Sequence, residues 1–258
     1  MKYDVTIVVP CKGWLHYIKQ TVPSLLRQET SSEYRVLIVD YGCPQDTLGW
    51  VKSQAQPRLH CLRVNDNTSP FNICRCRNIG ARHADSRVIA FLDGDIAVAP
   101  DYVEKAMSSM LTHDCGFVNY SIARHTARHI AHGRYAFDQL PDELAGVPTH
   151  PQKIYIANSV VFIRSEILEK FKGEDELFQG WGFGHTDLYD RILSSGEKNV
   201  WIGGAFEYLH TSAEERTQFY VEKDARKSAA TNLARMRTKR EINPSGWGVT
   251  NDFELFEE

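Results

Sequence analysis

Short, unbroken apolar runs rich in β-branched residues recur along the first 95 residues, and their alternation with helix-like stretches limits the possible folds more than any other feature. Val5-Thr6-Ile7-Val8-Val9 stops at Pro10, and a helix-like segment from Leu15 to Arg27 follows. Arg35-Val36-Leu37-Ile38-Val39 ends at Asp40, Leu59 to Val64 forms the next run, and a helical Arg75 to Ala84 leads into Arg87-Val88-Ile89-Ala90-Phe91-Leu92. A strand that is apolar on both faces must be covered on both faces. Strand, helix, strand in repetition therefore predicts an α/β fold with a mostly parallel sheet between helices. The second half is less regular. Cys115 to Ser121, Ile154 to Ile163, Val200 to Ile202 and Ala205 to Leu209 read as strands, and Asp187 to Leu193 reads as a helix closed by Gly196. Glu214 to about Arg240 is charged and helix-favouring, and the acidic tail from Asp252 to Glu258 reads as mobile.

The chain has 258 residues, 42% of them hydrophobic, enough for a single large domain around one core. The formal net charge is −3 and neither half is a polycation, which argues against nucleic acid or an anionic membrane as the main partner. The opening Met1-Lys2-Tyr3-Asp4 runs directly into a strand-length apolar run, too short for a signal sequence. No stretch approaches the roughly 20 apolar residues that span a bilayer. The expectation is a soluble, cytoplasmic protein without a transmembrane segment. Six cysteines without paired CxxC spacing read as free thiols in that setting.

In parallel sheets covered on both faces, ligands bind at the carboxyl ends of the strands. Three such ends carry polar or special residues: Pro10-Cys11-Lys12, Asp40-Tyr41-Gly42 and Asp93-Gly94-Asp95. The last is the strongest constellation, two carboxylates at the end of a buried strand. Hard oxygen ligands of this kind suit Mg²⁺ or Mn²⁺, although Asp-Gly also forms ordinary solvated turns. A second cluster, His125, His129 and His132 within Arg124 to His132, would share one helical face. Without a cysteine or acid at metal spacing it reads as a solvated basic face or an acceptor loop rather than a zinc site.

These residues fall into a known order. The chain resembles the GT-A fold glycosyltransferases of family 2, and within them the branch of chondroitin polymerase, the polypeptide N-acetylgalactosaminyltransferases and the β-1,4-galactosyltransferases. The resemblance rests on Val8-Val9-Pro10, Val39-Asp40, Phe71-Asn72, Arg77-Asn78-Ile79-Gly80-Ala81 and Phe91-Leu92-Asp93-Gly94-Asp95. Downstream it continues through Gly180-Trp181-Gly182, Asp187-Leu188, Arg191 and Leu209-His210. It implies a UDP-sugar donor, a carbohydrate or other hydroxyl acceptor, and Mn²⁺ or Mg²⁺ as cofactor. Pro10 and Gly94 would line the donor site, Asp40 would accept a hydrogen bond from the uracil, and Arg77 would contact the diphosphate. Asp95 and His210 would bind the metal. Asp93 would reach the metal through water, or the donor ribose. Trp181 and Gly182 would meet the acceptor. The implied layout is a nucleotide half, 1–95, an acceptor half, 96–210, and a helical or lid-like segment, 211–258.

One departure bears on the chemistry. Relatives follow Trp-Gly with Gly-Glu-Asp and a further acid, whereas this chain reads Gly182-Phe183-Gly184-His185-Thr186-Asp187. Gly184 replaces the glutamate and His185 the usual catalytic aspartate. With Thr186 capping a helix that begins near Asp187, both His185 and Asp187 would lie at a helix N-terminus, which favours their proton-accepting forms. The reading takes His185 as base or acceptor-orienting group and Asp187 as the acceptor's holder, in an inverting reaction. A retaining transferase and a binding protein that has lost catalysis are the alternatives.

Overall fold

The computed structural model describes residues 1–65, 70–119, 156–202, 206–209, 211–238 and 240–257. The histidine cluster at 125–132 and His210 lie outside these residues. The first half alternates as its sequence requires: β1 (Tyr3–Cys11), α1 (Leu15–Leu26), β2 (Tyr34–Tyr41), α2 (Thr47–Gln54), β3 (Leu59–Val64), α3 (Ile73–Arg82) and β4 (Ser86–Leu92). Then come β5 (Ile96–Val98), α4 (Tyr102–Met110), β6 (Cys115–Asn119), β7 (Ile156–Arg164), α5 (Ser165–Lys170) and α6 (Gly184–Ser194). The chain continues with β8 (Asn199–Trp201), β9 (Phe206–Tyr208), α7 (Ala213–Thr217), α8 (Ala225–Met236) and β10 (Phe253–Phe256).

Eight strands form one sheet in the order β10-β3-β2-β1-β4-β7-β6-β8. The strands β3, β2, β1 and β4 are parallel neighbours, β7 runs antiparallel between β4 and β6, and β6 pairs in parallel with β8. All eight residues of β2 are buried, as the continuous apolar run demands. Because side chains alternate between faces, the strands feed two cores. Val5, Ile7 and Val9 pack with Ile18, Val22 and Leu25 of α1, while Val8, Leu37 and Val39 pack with Ile79 of α3 and Phe91. Gly80 sets how closely α3 lies on the sheet: a Cβ there would stand 2.4 Å from Val8 Cγ1 and 2.8 Å from Val39 Cγ2. Asn72 caps α3 by accepting the Arg75 amide at 2.9 Å, so the helix begins two residues before the predicted start. Among the described residues no helix is long and apolar enough to cross a membrane.

Two expectations are corrected. The segment 253–256 of the acidic tail is strand β10, antiparallel to β3, and it covers what would otherwise be a bare sheet edge. Helix α6 starts at Gly184, so Thr186 is inside it rather than capping it; Phe183 precedes the first turn with φ 67°, and its carbonyl accepts the Asp187 amide at 2.9 Å.

The tail is fastened by charge. Arg35 is buried in β2, donating from Nε to Thr6 Oγ1 at 3.2 Å and from Nη2 to the His83 carbonyl, and Glu257 supplies the carboxylate facing its Nη1. Replacing Glu257 by Gln removes the counter-charge of a buried guanidinium. The carboxylate is itself partly solvated, so the expected loss is about 1 to 2 kcal/mol, less than for a fully buried pair. Urea unfolding checks this, and an unchanged midpoint would mean the clamp contributes nothing.

Candidate active site

The carboxyl ends of β1, β2 and β4 meet at one edge of the sheet, with Cys11 paired to Asp40 in register and Pro10 to Val39. Pro10 and Gly94 are close neighbours: the Pro10 carbonyl oxygen lies 3.7 Å from where a Cβ on Gly94 would be. Asp40 is fully buried. Its Oδ1 accepts the Cys43 amide at 2.7 Å, while Oδ2 has no hydrogen-bond partner among the described residues and reaches only Arg63 Nε, at 3.9 Å. Burial is the main force that pushes this carboxyl up to about 7, partly offset by the Cys43 amide, Arg63 and Lys12. A buried acceptor oxygen without a donor is costly, and it is ready to receive a ligand N–H.

Asp93 and Asp95 follow β4 directly. Asp95 is 5% exposed and burial, reinforced by the charge of Asp93, raises its carboxyl to about 7, with Arg216 pulling the other way. A carboxylate whose proton affinity is raised by a second one beside it is part of a donor set that a divalent cation would relieve. The Asp95 carbonyl accepts the Leu209 amide at 2.8 Å, and β5 pairs with β9, so the chain just before position 210 is fixed to the Asp93-Asp95 turn. Among the described residues no third potential ligand joins the two aspartates.

Arg77 comes up from α3 into this turn. It donates from Nη2 to Asp93 Oδ1 at 2.5 Å and faces Glu174 Oε2 with Nη1 at 3.5 Å. Burial opposes its charge, but Asp93 and Glu174 more than compensate and hold the guanidinium firmly protonated. The diphosphate-binding arginine expected from the sequence is thus tied to the aspartate expected beside the metal.

Glu174 continues the chain of charges. It is fully buried, and its Oε1 stands within ion-pair distance of His185 Nδ1. Its carboxyl is drawn down to about 2, since His185 and Arg77 overcome the opposing effect of burial. The imidazole of His185 is 3% exposed and stacks on Phe91, two residues before Asp93, with centroids 6.0 Å apart. Position 184 is crowded for the glutamate that the resemblance would place there: a Cβ would lie 2.5 Å from Cys74 Sγ and 3.6 Å from Glu174 Oε2. The carboxylate of Glu174 reaches the space beside that position. Sequence reasoning missed Glu174; the available signal was the acidic run Glu174-Asp175-Glu176 upstream of a Trp-Gly segment short of its own acids.

Asp187 belongs to a different cluster. Arg191 Nε donates to its Oδ2 at 2.9 Å and Arg240 Nη2 to its Oδ1, so both oxygens are taken. Arg240 and Arg235 also bind the buried Asp175, with Nε contacts of 2.6 and 2.9 Å. Trp181 is 43% exposed in a turn where Gly180, Gly182 and Phe183 all have positive φ. Helix α8 braces that turn from behind. Ser228 Oγ accepts the Trp181 amide at 2.7 Å, and Asn232 Nδ2 donates to the Gly182 carbonyl at 2.9 Å. Neither brace was legible as a motif.

The geometry thus brings Pro10, Asp40, Asp93, Gly94 and Asp95 to one sheet edge, links Asp93 through Arg77 and Glu174 to His185, and pairs Asp187 with Arg191 and Arg240. The model of glycosyl transferase family 2 matches residues 6–142, over half of the chain. The chain belongs to glycosyltransferase family 2. Its fold is the GT-A fold of solved structures: TarS 1-349 of S. aureus in complex with UDP aligns over 82% of this chain and 62% of that one, at 16% identity and a TM-score of 0.58. A mutant of Drosophila β1,4-galactosyltransferase 7, in complex with manganese, UDP-Gal and xylobiose, aligns over 93% of this chain and 82% of that one, at 15% identity and a TM-score of 0.53. Among curated relatives, the O-antigen biosynthesis protein RfbC of Myxococcus xanthus is 25% identical over 85% of this chain and 18% of its own length. The family-2 chain spans less than a third of the length of the curated relatives that it matches over most of its own length.

The raised carboxyl of Asp40 sets a pH dependence. Its folded-state value of about 7 lies above the roughly 3.9 of an unfolded aspartate, so the protonated form favours the fold. That contribution is complete below about pH 4 and is lost as pH rises through 7. Asp40→Asn keeps the oxygen that accepts the Cys43 amide and removes the ionisation. Its melting temperature should fall less than the wild type's between about pH 5 and pH 8. Parallel pH profiles for the two proteins would contradict the assignment.

Proposed function

We propose that the chain transfers a sugar from a UDP-sugar to an acceptor hydroxyl with inversion at the anomeric carbon, and that it uses Mn²⁺ or Mg²⁺. The observation that carries the reading is the meeting, at one sheet edge, of a buried carboxylate oxygen without a donor among the described residues, Asp40 Oδ2, and the carboxylates of Asp93 and Asp95, the latter buried beside the charge of the former. Asp40 would accept the N–H of the uracil, with Pro10 and Gly94 lining the donor site. Asp95, Asp93 and His210 would hold the cation, which when bound neutralises charge on the departing diphosphate. Arg77 would act on the donor side by fixing Asp93, and Arg216, exposed on α7, adds a positive charge near Asp95.

The acceptor side would be the turn of Trp181 and Gly182, whose exposed indole offers a flat face for a sugar ring. His185 would take the acceptor's proton. The ion pairs of Asp187 with Arg191 and Arg240 favour His185 over Asp187 in that role, because both oxygens of the Asp187 carboxylate already accept from guanidinium donors. In this layout residues 1–95 serve the nucleotide, 96–210 the acceptor, and 211–258 brace the site.

Release of UDP from a panel of UDP-sugars, measured with and without excess chelator, tests the reading and names the donor. Turnover should require the divalent cation, and Asp95→Asn should remove nearly all of it while the protein stays folded; full activity in chelator would overturn the metal's role. His185→Ala should lower turnover about 10²-fold or more with UDP affinity intact, whereas Asp187→Asn should chiefly lower the melting temperature. The reverse pattern would exchange the two residues. Product with retained configuration by NMR would remove both as an inverting base.

A further inference from the structure

We infer that Glu174 is a positioning residue that holds His185 as its Nδ1–H tautomer and leaves Nε2 as the proton acceptor. This rests on the reading of His185 as the base. A carboxylate can only accept hydrogen bonds, so a neutral imidazole facing Glu174 with Nδ1 carries its proton there. The contact is close but not aimed along the N–H direction. The other nitrogen, Nε2, is buried and has no hydrogen-bond partner among the described residues. An atom of this kind is costly to leave unbonded, a sacrifice expected where a ligand completes the bond.

The surroundings support a fixed ring. Phe91 stacks on one face of the imidazole, and Cys74, whose buried thiol stays neutral, fills the space beside Gly184. The charged groups near His185 are few. Glu174 faces it from the loop after α5, Arg77 lies behind Glu174 on α3, and Asp187 on its own helix is engaged by Arg191 and Arg240. Arg77 performs a second service here: alongside His185 itself, it favours the ionised form of Glu174 against the cost of complete burial, so that the carboxylate can stabilise an imidazolium. In the reaction the acceptor's O–H proton moves to Nε2 as its oxygen bonds to the anomeric carbon. The bond from that carbon to the UDP phosphate oxygen breaks, and its electron pair leaves with UDP. The imidazolium faces Glu174 until product departs and the proton passes to water.

The tautomer can be read without any variant. In ¹⁵N-histidine-labelled protein, at a pH well above the ordinary histidine value of about 6.5, the His185 signals should report a protonated Nδ1 and a bare Nε2; His185→Gln assigns them by their disappearance. A protonated Nε2 would overturn the inference. Glu174→Gln preserves shape but removes the charge that stabilises the imidazolium, and should lower kcat about 10- to 100-fold, a larger effect than any it has on donor KM through Arg77. Unchanged kcat in Glu174→Gln, beside an inactive His185→Ala, would reject the positioning role and keep His185 as base. An active His185→Ala would reject the base and this inference together. If Glu174→Gln does not fold, the wild-type spectrum decides.

Discussion

A guanidinium buried between two carboxylates, Arg77 between Asp93 and Glu174, is the contact on which the site depends. Removing three charges from water is expensive, and the cost is recovered only if they stay together in good geometry. Each partner comes from a different part of the chain: Arg77 from α3, Asp93 from the turn after β4, Glu174 from the loop before α6. The close seat of α3 on β1 and β2, which Gly80 permits, is what brings Arg77 to the right height. Through Glu174 the same contact extends to His185, so Asp93 and the imidazole of His185 share one line of paired groups.

The C-terminal third serves as a frame rather than an appendage. Phe71, which opens the approach to α3, stacks on Tyr220 with centroids 5.4 Å apart, and its amide donates to the Phe219 carbonyl at 2.7 Å. Tyr17 of α1 donates to Glu215 at 3.2 Å, and Ser212 and Glu215 close a capping box on α7. Helix α8 holds the Trp181 turn, and Arg235 and Arg240 fasten the loop of Asp175 to α6. The exposed tryptophan is thus presented from a backbone held at several points, and left-handed residues at 180, 182 and 183 give the turn its shape.

What the sequence reveals and what it hides divide along the range of the interactions. The parallel strands are legible because a strand buried on both faces must be apolar throughout, as β2 is. The Asp93-Asp95 turn is legible because a strand and two nearby acids sit within a few residues. Glu174 is not, because its meaning depends on Arg77, His185 and the space that Cys74 takes at position 184. Asp187 was legible as a surviving acid, but its ion pair with Arg240 was not, since Arg240 lies 53 positions away. The acidic tail read as mobile, yet Phe253 to Phe256 find a partner in β3, and Glu257 finds a buried arginine. The onset of α6 was misplaced because Thr186 looked like a cap, whereas the left-handed Phe183 allows the helix to begin three residues earlier than expected.

The most direct measurement is a crystal structure of the protein with UDP and Mn²⁺. The account predicts manganese on Asp95 and Asp93, the uracil N–H on Asp40 Oδ2, and Arg77 still bound to both Asp93 and Glu174 while the diphosphate is in place. Arg77 released from Asp93 and Glu174 and clasping the diphosphate, with His185 no longer against Glu174, would contradict it.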